Sequence, residues 1–224
     1  GAAGIASMRL LIALGLRKDR VYLVDRQGVI HTGRHDLNPY KFAFAIETEK
    51  HTLAQAMQGA DVFIGVSGAN LVTADMLKSM ALKPIVFALS NPDPEIKPEL
   101  ALKSRDDLIL ATGRSDHPKQ VNNVLCFPYI FRGALDVRAS AINQEMMIAA
   151  AHAIKDLARE PVPKEVIELC HNTTTLEFGP NYIIPKPQDP RLIKVVPPAV
   201  AKAAIDTKVA KLGYPKHYPP VEHK

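Results

Sequence analysis

Two glycines, Gly1 and Gly4, run directly into an apolar stretch, GAAGIASMRLLIALGL. Glycines at such a turn let backbone amides approach a pyrophosphate and let a helix pack closely on a strand. These are the roles of the second and third glycines of the G-x-G-x-x-G dinucleotide fingerprint. With Ala2 and Ala3 between them, the first helical amides would face the phosphates, where the helix dipole favours negative charge. Asp25 closes a later apolar run, VYLVD, at roughly the 20-residue distance from which an acid hydrogen-bonds the adenosine ribose. Arg26 follows it, and a guanidinium there can hold a 2′-phosphate. Lys41 is a second candidate for that phosphate. A solvated surface arginine is the plainer reading of Arg26, so NAD and NADP both stay open, with Arg26 as the residue that would favour NADP.

Three further stretches could face a ligand. GVSGAN contributes Gly65, Val66, Ser67 and Gly68, with so little side-chain bulk that a nicotinamide ribose could lie on the backbone; a simple tight turn would look the same. SNPDP places Asn91 at a strand mouth, and QVNNV places Asn122 and Asn123 near another. Asparagine amides are neutral donors that hold carboxylate oxygens without quenching a nearby metal, although asparagines are also common in turns. Arg114, Asp116 and His117 share one loop, but neighbours in a loop seldom face each other. His51, His152 and His171 lack partners at metal-ligand spacing, so no metal ligand and no catalytic residue is assigned.

These residues need elements to position them. Helices are expected at 1–16, over HTLAQAMQGA and from Thr73, an N-cap by type. Strands are expected at 21–25, 61–69, 83–94 and 107–116. Their alternation predicts an α/β, Rossmann-like doubly wound parallel sheet with helices on both faces. From Val121 the texture changes to an amphipathic helix over 143–160, a short helix started by PVPKEV, a long loop and a last helix at 197–211 with Pro198 in its first turn. This gives a dinucleotide-binding domain over 1–211 and an exposed tail over 212–224. No strand precedes Gly1, so the sheet would lack its central strand and expose two inner edges. The reading that follows is a fragment cut inside its own motif.

The 224 residues are 47% hydrophobic, enough for a sizeable core, and no apolar run is long enough to span a membrane. The net charge of +5 is dispersed, which argues against nucleic acid and suits an anionic small molecule. Two cysteines, Cys126 and Cys170, make no framework and read as reduced thiols of a cytoplasmic protein.

GAAGIA, VDRQGVI, LNPYK, ADVFIGVSGA, IVFALSNPDPEI, ATGRSD, QVNNVLCFPYIFRGALDVRA, INQEM and FGPNYIIPKPQDPRL together resemble the nucleotide-binding domain of bacterial malic enzymes, particularly those that carry a further phosphate acetyltransferase-like domain. ALSNPDPE and VNNVLCFPYIFRGALD are far more specific than the glycines. The resemblance implies oxidation of malate by NAD or NADP, decarboxylation of the oxaloacetate intermediate and protonation of enolpyruvate to pyruvate, with magnesium or manganese polarising the substrate oxygen. It puts the pyrophosphate on Gly1 to Gly4, the adenosine ribose near Asp25, the nicotinamide side near Gly65 to Gly68, and malate on Asn91 and one or both of Asn122 and Asn123. It also implies a homo-oligomer. The family's tyrosine acid, lysine base and acidic metal ligands precede its dinucleotide motif and match nothing here. An isolated chain would therefore hold half an active site. A dinucleotide-sensing or interaction module, and an amino-acid or tetrahydrofolate dehydrogenase, are the alternatives; the latter would not be expected to combine SNPDPE with QVNNVL.

Overall fold

The computed structural model describes residues 1–114, 120–169 and 175–220. The chain divides into two compact units, Gly1–Gln120 and Val121–Lys224.

The first unit opens with helix α1, Ala2–Ala13. It ends as its glycine suggests: the Leu14 and Gly15 amides donate to Leu10 and Ile12 at 3.0 Å, with Gly15 at φ 101°. Three strands, β3 (Val62–Gly65), β4 (Ile85–Ala88) and β5 (Ile109–Thr112), form a parallel sheet in the order β3-β4-β5. Gly65 pairs with Ala88, and Ala88 with Thr112, so the three strands exit side by side. Helices α3 (Leu53–Met57), α4 (Ala74–Lys78) and α5 (Pro98–Ser104) alternate with them. Thr52 caps α3 in a reciprocal capping box with Gln55, and Thr73 caps α4 by accepting from the Met76 amide. Val86, Leu110, Leu77, Met57 and Ile96 are buried in this unit's core.

The expected first strand differs. VYLVD does not join the parallel sheet. Only Val24–Asp25 (β1) is a strand, paired antiparallel with Gly28–Val29 (β2). The reason is local: Gly28 at φ 109° turns the chain back on itself within two residues. A Cβ at Gly28 would fall 2.1 Å from the His51 carbonyl oxygen, which also accepts the Val29 amide. A short helix, α2 (Pro39–Phe42), follows the hairpin.

The second unit is helical, with α6 (Tyr129–Asp136), α7 (Gln144–Arg159), α8 (Lys164–Glu168) and α9 (Leu192–Asp206). Ile130, Val137, Met146, Leu157, Val196 and Val200 are buried together in its core. The last helix begins five residues before the expected start, so Pro197 and Pro198 sit inside it. Two amides are lost from the ladder, but both prolines are buried and the residues around them fill the core; packing outweighs propensity here. Gly133 makes this approach possible, since a Cβ there would lie 2.5 Å from the Pro197 carbonyl oxygen. The described part of the long loop, residues 175–191, contains no helix or strand element and is organised by buried Asp189, which accepts from the Arg191 amide at 2.9 Å and its guanidinium at 2.8 Å. Beyond Lys211 the chain is mostly exposed through 220 but is pinned where the Tyr218 hydroxyl donates to Asp136 at 2.5 Å.

Candidate functional site

The start of α1 lies against the exit of β3. A Cβ at Gly4 would be 3.7 Å from the Val66 side chain and 3.6 Å from Leu23. Gly4 therefore stands where the helix, the β1 approach and the glycine-rich loop converge. The α1 N-terminus has no side-chain cap and no acid in its first turn, so nothing on its own element neutralises its dipole. Gly1, Ala2 and Ala3 are exposed.

Asp25 is the hub of a charged network. Its Oδ1 accepts from Arg34 at 2.8 Å and from the Gln27 amide at 3.0 Å. Its Oδ2 accepts from Arg34 at 3.2 Å and from Lys41 at 2.5 Å. Four donors fill the acceptor positions of one carboxylate. Burial would raise the Asp25 carboxyl, but the hydrogen bonds from Arg34 and Lys41 outweigh it and hold the group well below the usual carboxylate range. Arg34, whose side chain is only 8% exposed, also bonds Asp36 and the Gln27 side chain. Sequence reasoning missed Arg34, because its partner lies nine residues away across a hairpin. Arg26, at the hairpin tip, is exposed and has no hydrogen-bond or ion-pair partner among the described residues.

At the exits of β3 and β4 the loops are laced together. Leu89 donates to the Gly65 carbonyl at 2.9 Å, Asn70 to Pro94 at 3.0 Å and Val72 to Glu95 at 2.9 Å. Glu95, 1% exposed, sends its carboxylate back under Gly65. Asn91 is exposed on this rim, and its amide packs on the β5 exit: a Cβ at Gly113 would lie 3.0 Å from Asn91 Nδ2. The Asn91–Pro92 peptide is cis. The structure thus gathers Gly4, Gly65, Val66 and Asn91 at the carboxyl ends of the parallel strands, where ligands of open α/β sheets bind.

Asn122 and Asn123 belong to the second unit. Asn122 accepts from the Val124 amide at 3.1 Å through its side-chain oxygen, while Asn123 is exposed. Asp116, His117, Cys170 and His171 lie outside the described residues. Arg114 is described, and its amide donates to Thr112 Oγ1 at 3.3 Å. Burial pushes the half-buried Cys126 thiol up, which makes it a poor nucleophile. His51 meets His31 at 3.2 Å between ring nitrogens, a pairing the sequence did not reveal. His152 lies 3.0 Å from Lys155. Among the described residues no three His, Cys, Asp or Glu side chains group to hold a metal ion, so these residues do not fit a divalent cation and no step is derived through one. No described helix is long and apolar enough to cross a membrane.

A parallel sheet flanked by helices, with glycines and a helix start at its carboxyl rim, defines a Rossmann-like dinucleotide-binding fold. The chain belongs to the family described as malic enzyme, NAD binding domain, whose model matches residues 12–169. It is 58% identical over 98% of its length to an NADP-dependent malic enzyme of Halomonas elongata, of which it covers 52%. It is 53% identical to the NADP-dependent malic enzyme of Escherichia coli, covering 28% of that protein, and 48% identical to an NAD-dependent malic enzyme of Rhizobium meliloti, covering 27%. The chain thus spans about half or less of the curated relatives it matches. Among solved structures, Entamoeba histolytica malic enzyme superposes with a TM-score of 0.81 at 34% identity, over 93% of this chain and 42% of that one. Pyrococcus horikoshii malic enzyme gives 0.76 at 34% identity, over 93% and 47%.

Proposed function

We propose that this chain is the nicotinamide-cofactor-binding part of a malic enzyme catalysing oxidative decarboxylation of malate to pyruvate and CO2. The observation that carries the reading is the convergence of an uncapped α1 start, the bare β3 exit and Asn91 on one strand rim in a chain of this family. Gly1 to Gly4 hold the pyrophosphate through backbone amides. Gly65, Val66, Ser67 and Gly68 seat the nicotinamide riboside. Asn91 holds malate through its neutral amide donor; Asn122 and Asn123, in the second unit, are the further candidates for that role. NADP, when bound, supplies the hydride acceptor.

NADP is the preferred cofactor in this reading. Asp25 is already neutralised by Arg34 and Lys41, so it does not repel a 2′-phosphate. Arg26 is free among the described residues to approach that phosphate, with Lys41 beside it. The relatives from Halomonas and E. coli are described as NADP-dependent. The cytoplasm is the proposed location and a homo-oligomer the proposed state.

The test is malate-dependent NADP reduction by the full-length protein carrying this chain, with manganese supplied. Reduction with release of pyruvate is expected. Cofactor binding without reduction would instead identify a dinucleotide-responsive module.

A further inference from the structure

We infer that Glu95 is a positioning residue that locks the nicotinamide-side loop and the malate-side amide into one body; this rests on the reading proposed above. Its Oε1 accepts the Ser67 amide at 3.0 Å, and its Oε2 accepts the Ser90 amide at 3.2 Å. Ser67 directly precedes Gly68, and Ser90 directly precedes Asn91. One carboxylate therefore fixes a peptide plane beside each of the two proposed contacts. The backbone of the same segment adds the Asn70–Pro94 and Val72–Glu95 bonds at 3.0 and 2.9 Å.

A carboxylate that is 1% exposed is costly, and no ion pair compensates Glu95 among the described residues. Its justification is geometric. Two amides from two loops converge from different sides, and only a group with two acceptor oxygens satisfies both. Glutamine has the same shape, but its amide nitrogen would face one of the two backbone N–H groups, donor against donor. Gly65 completes the device: a Cβ there would fall 2.3 Å from the Glu95 carboxyl carbon and 2.6 Å from each oxygen. The glycine is needed beneath the carboxylate, independently of any ligand above.

In full-length protein, Glu95→Gln should weaken NADP+ binding and raise the KM for malate together, each by roughly tenfold. Binding of adenosine 2′,5′-bisphosphate, which carries only the adenosine end, should be unchanged, because Asp25, Arg26 and Lys41 lie on the β1–β2 hairpin and α2, away from Glu95's two loops. Gly65→Ala, which displaces the carboxylate without removing it, should give the same selective pattern. Equal loss for both ligands in either variant, or loss for neither, overturns the positioning role. A wild-type protein that binds NADP+ without turning malate over overturns the proposed activity, while the ligand comparison still decides on Glu95. A wild type that binds no NADP+ overturns both.

Discussion

The carboxyl group of Glu95 occupies the space where a side chain at Gly65 would stand, with 2.3 Å between an ideal Cβ and Glu95 Cδ. The two residues are 30 positions apart in sequence, on the exits of adjacent parallel strands. Both are buried, and the carboxylate is held by two backbone amides, so it cannot swing aside as an exposed side chain would. Gly65→Ala should therefore destabilise the protein by about 1–3 kcal/mol through overpacking. Chemical unfolding of the full-length protein measures this as a lower midpoint; an unchanged midpoint would mean that the loops yield freely.

Asp25→Asn should cost about 1–3 kcal/mol, since it leaves Arg34 and Lys41 without their shared carboxylate. The pH dependence follows from the depressed folded-state carboxyl. A lowered folded pKa contributes stability that is fully present above the unfolded value, about 4, and lost as pH falls through the folded value. The gap between wild type and Asp25→Asn should thus be constant near neutrality and shrink as acid is added below about pH 4. A gap independent of pH down to acid unfolding would show that the ion pairs contribute nothing.

Arg26 is exposed and unpartnered among the described residues, so Arg26→Gln should leave stability within about 0.5 kcal/mol. It should weaken NADP+ by about 1.5–3 kcal/mol, the worth of a hydrogen bond to a charged group, and leave NAD+ unaffected. Titration with both cofactors separates the outcomes; equal losses would reject a phosphate contact.

Asn91→Ala should raise the malate requirement by about 1.5–3 kcal/mol in KM terms with little change in NADP+ affinity. Steady-state kinetics with each substrate varied in turn decides this, and an unchanged malate KM removes Asn91 from the site.

Much of this arrangement was legible in the chain itself. Thr73 caps a helix because a hydroxyl one residue before an apolar turn satisfies amides wherever it occurs. IVFA and ILAT are strands because a short apolar run bounded by turn residues buries well only in a covered sheet. Gly4 stands out in the sequence by its spacing from Gly1 at a helix start, and Asn91 by its place after an apolar run; both signals are local.

What the tertiary structure decided are relationships between residues far apart in sequence. VYLVD reads as a sheet strand by its apolar run, but Gly28 at φ 109° turns it into a hairpin. The buried prolines of α9 contradict helix propensity, and the packing around them against Gly133 overrules it. The sequence assigns no role to Arg34 or Glu95, yet one saturates Asp25 and the other joins two loops beneath Gly65. Periodicity and capping depend on residues within a turn or two of each other, so the amino-acid order determines them directly. The convergence of buried charges and backbone amides depends on which strands lie side by side, and only the folded chain fixes that.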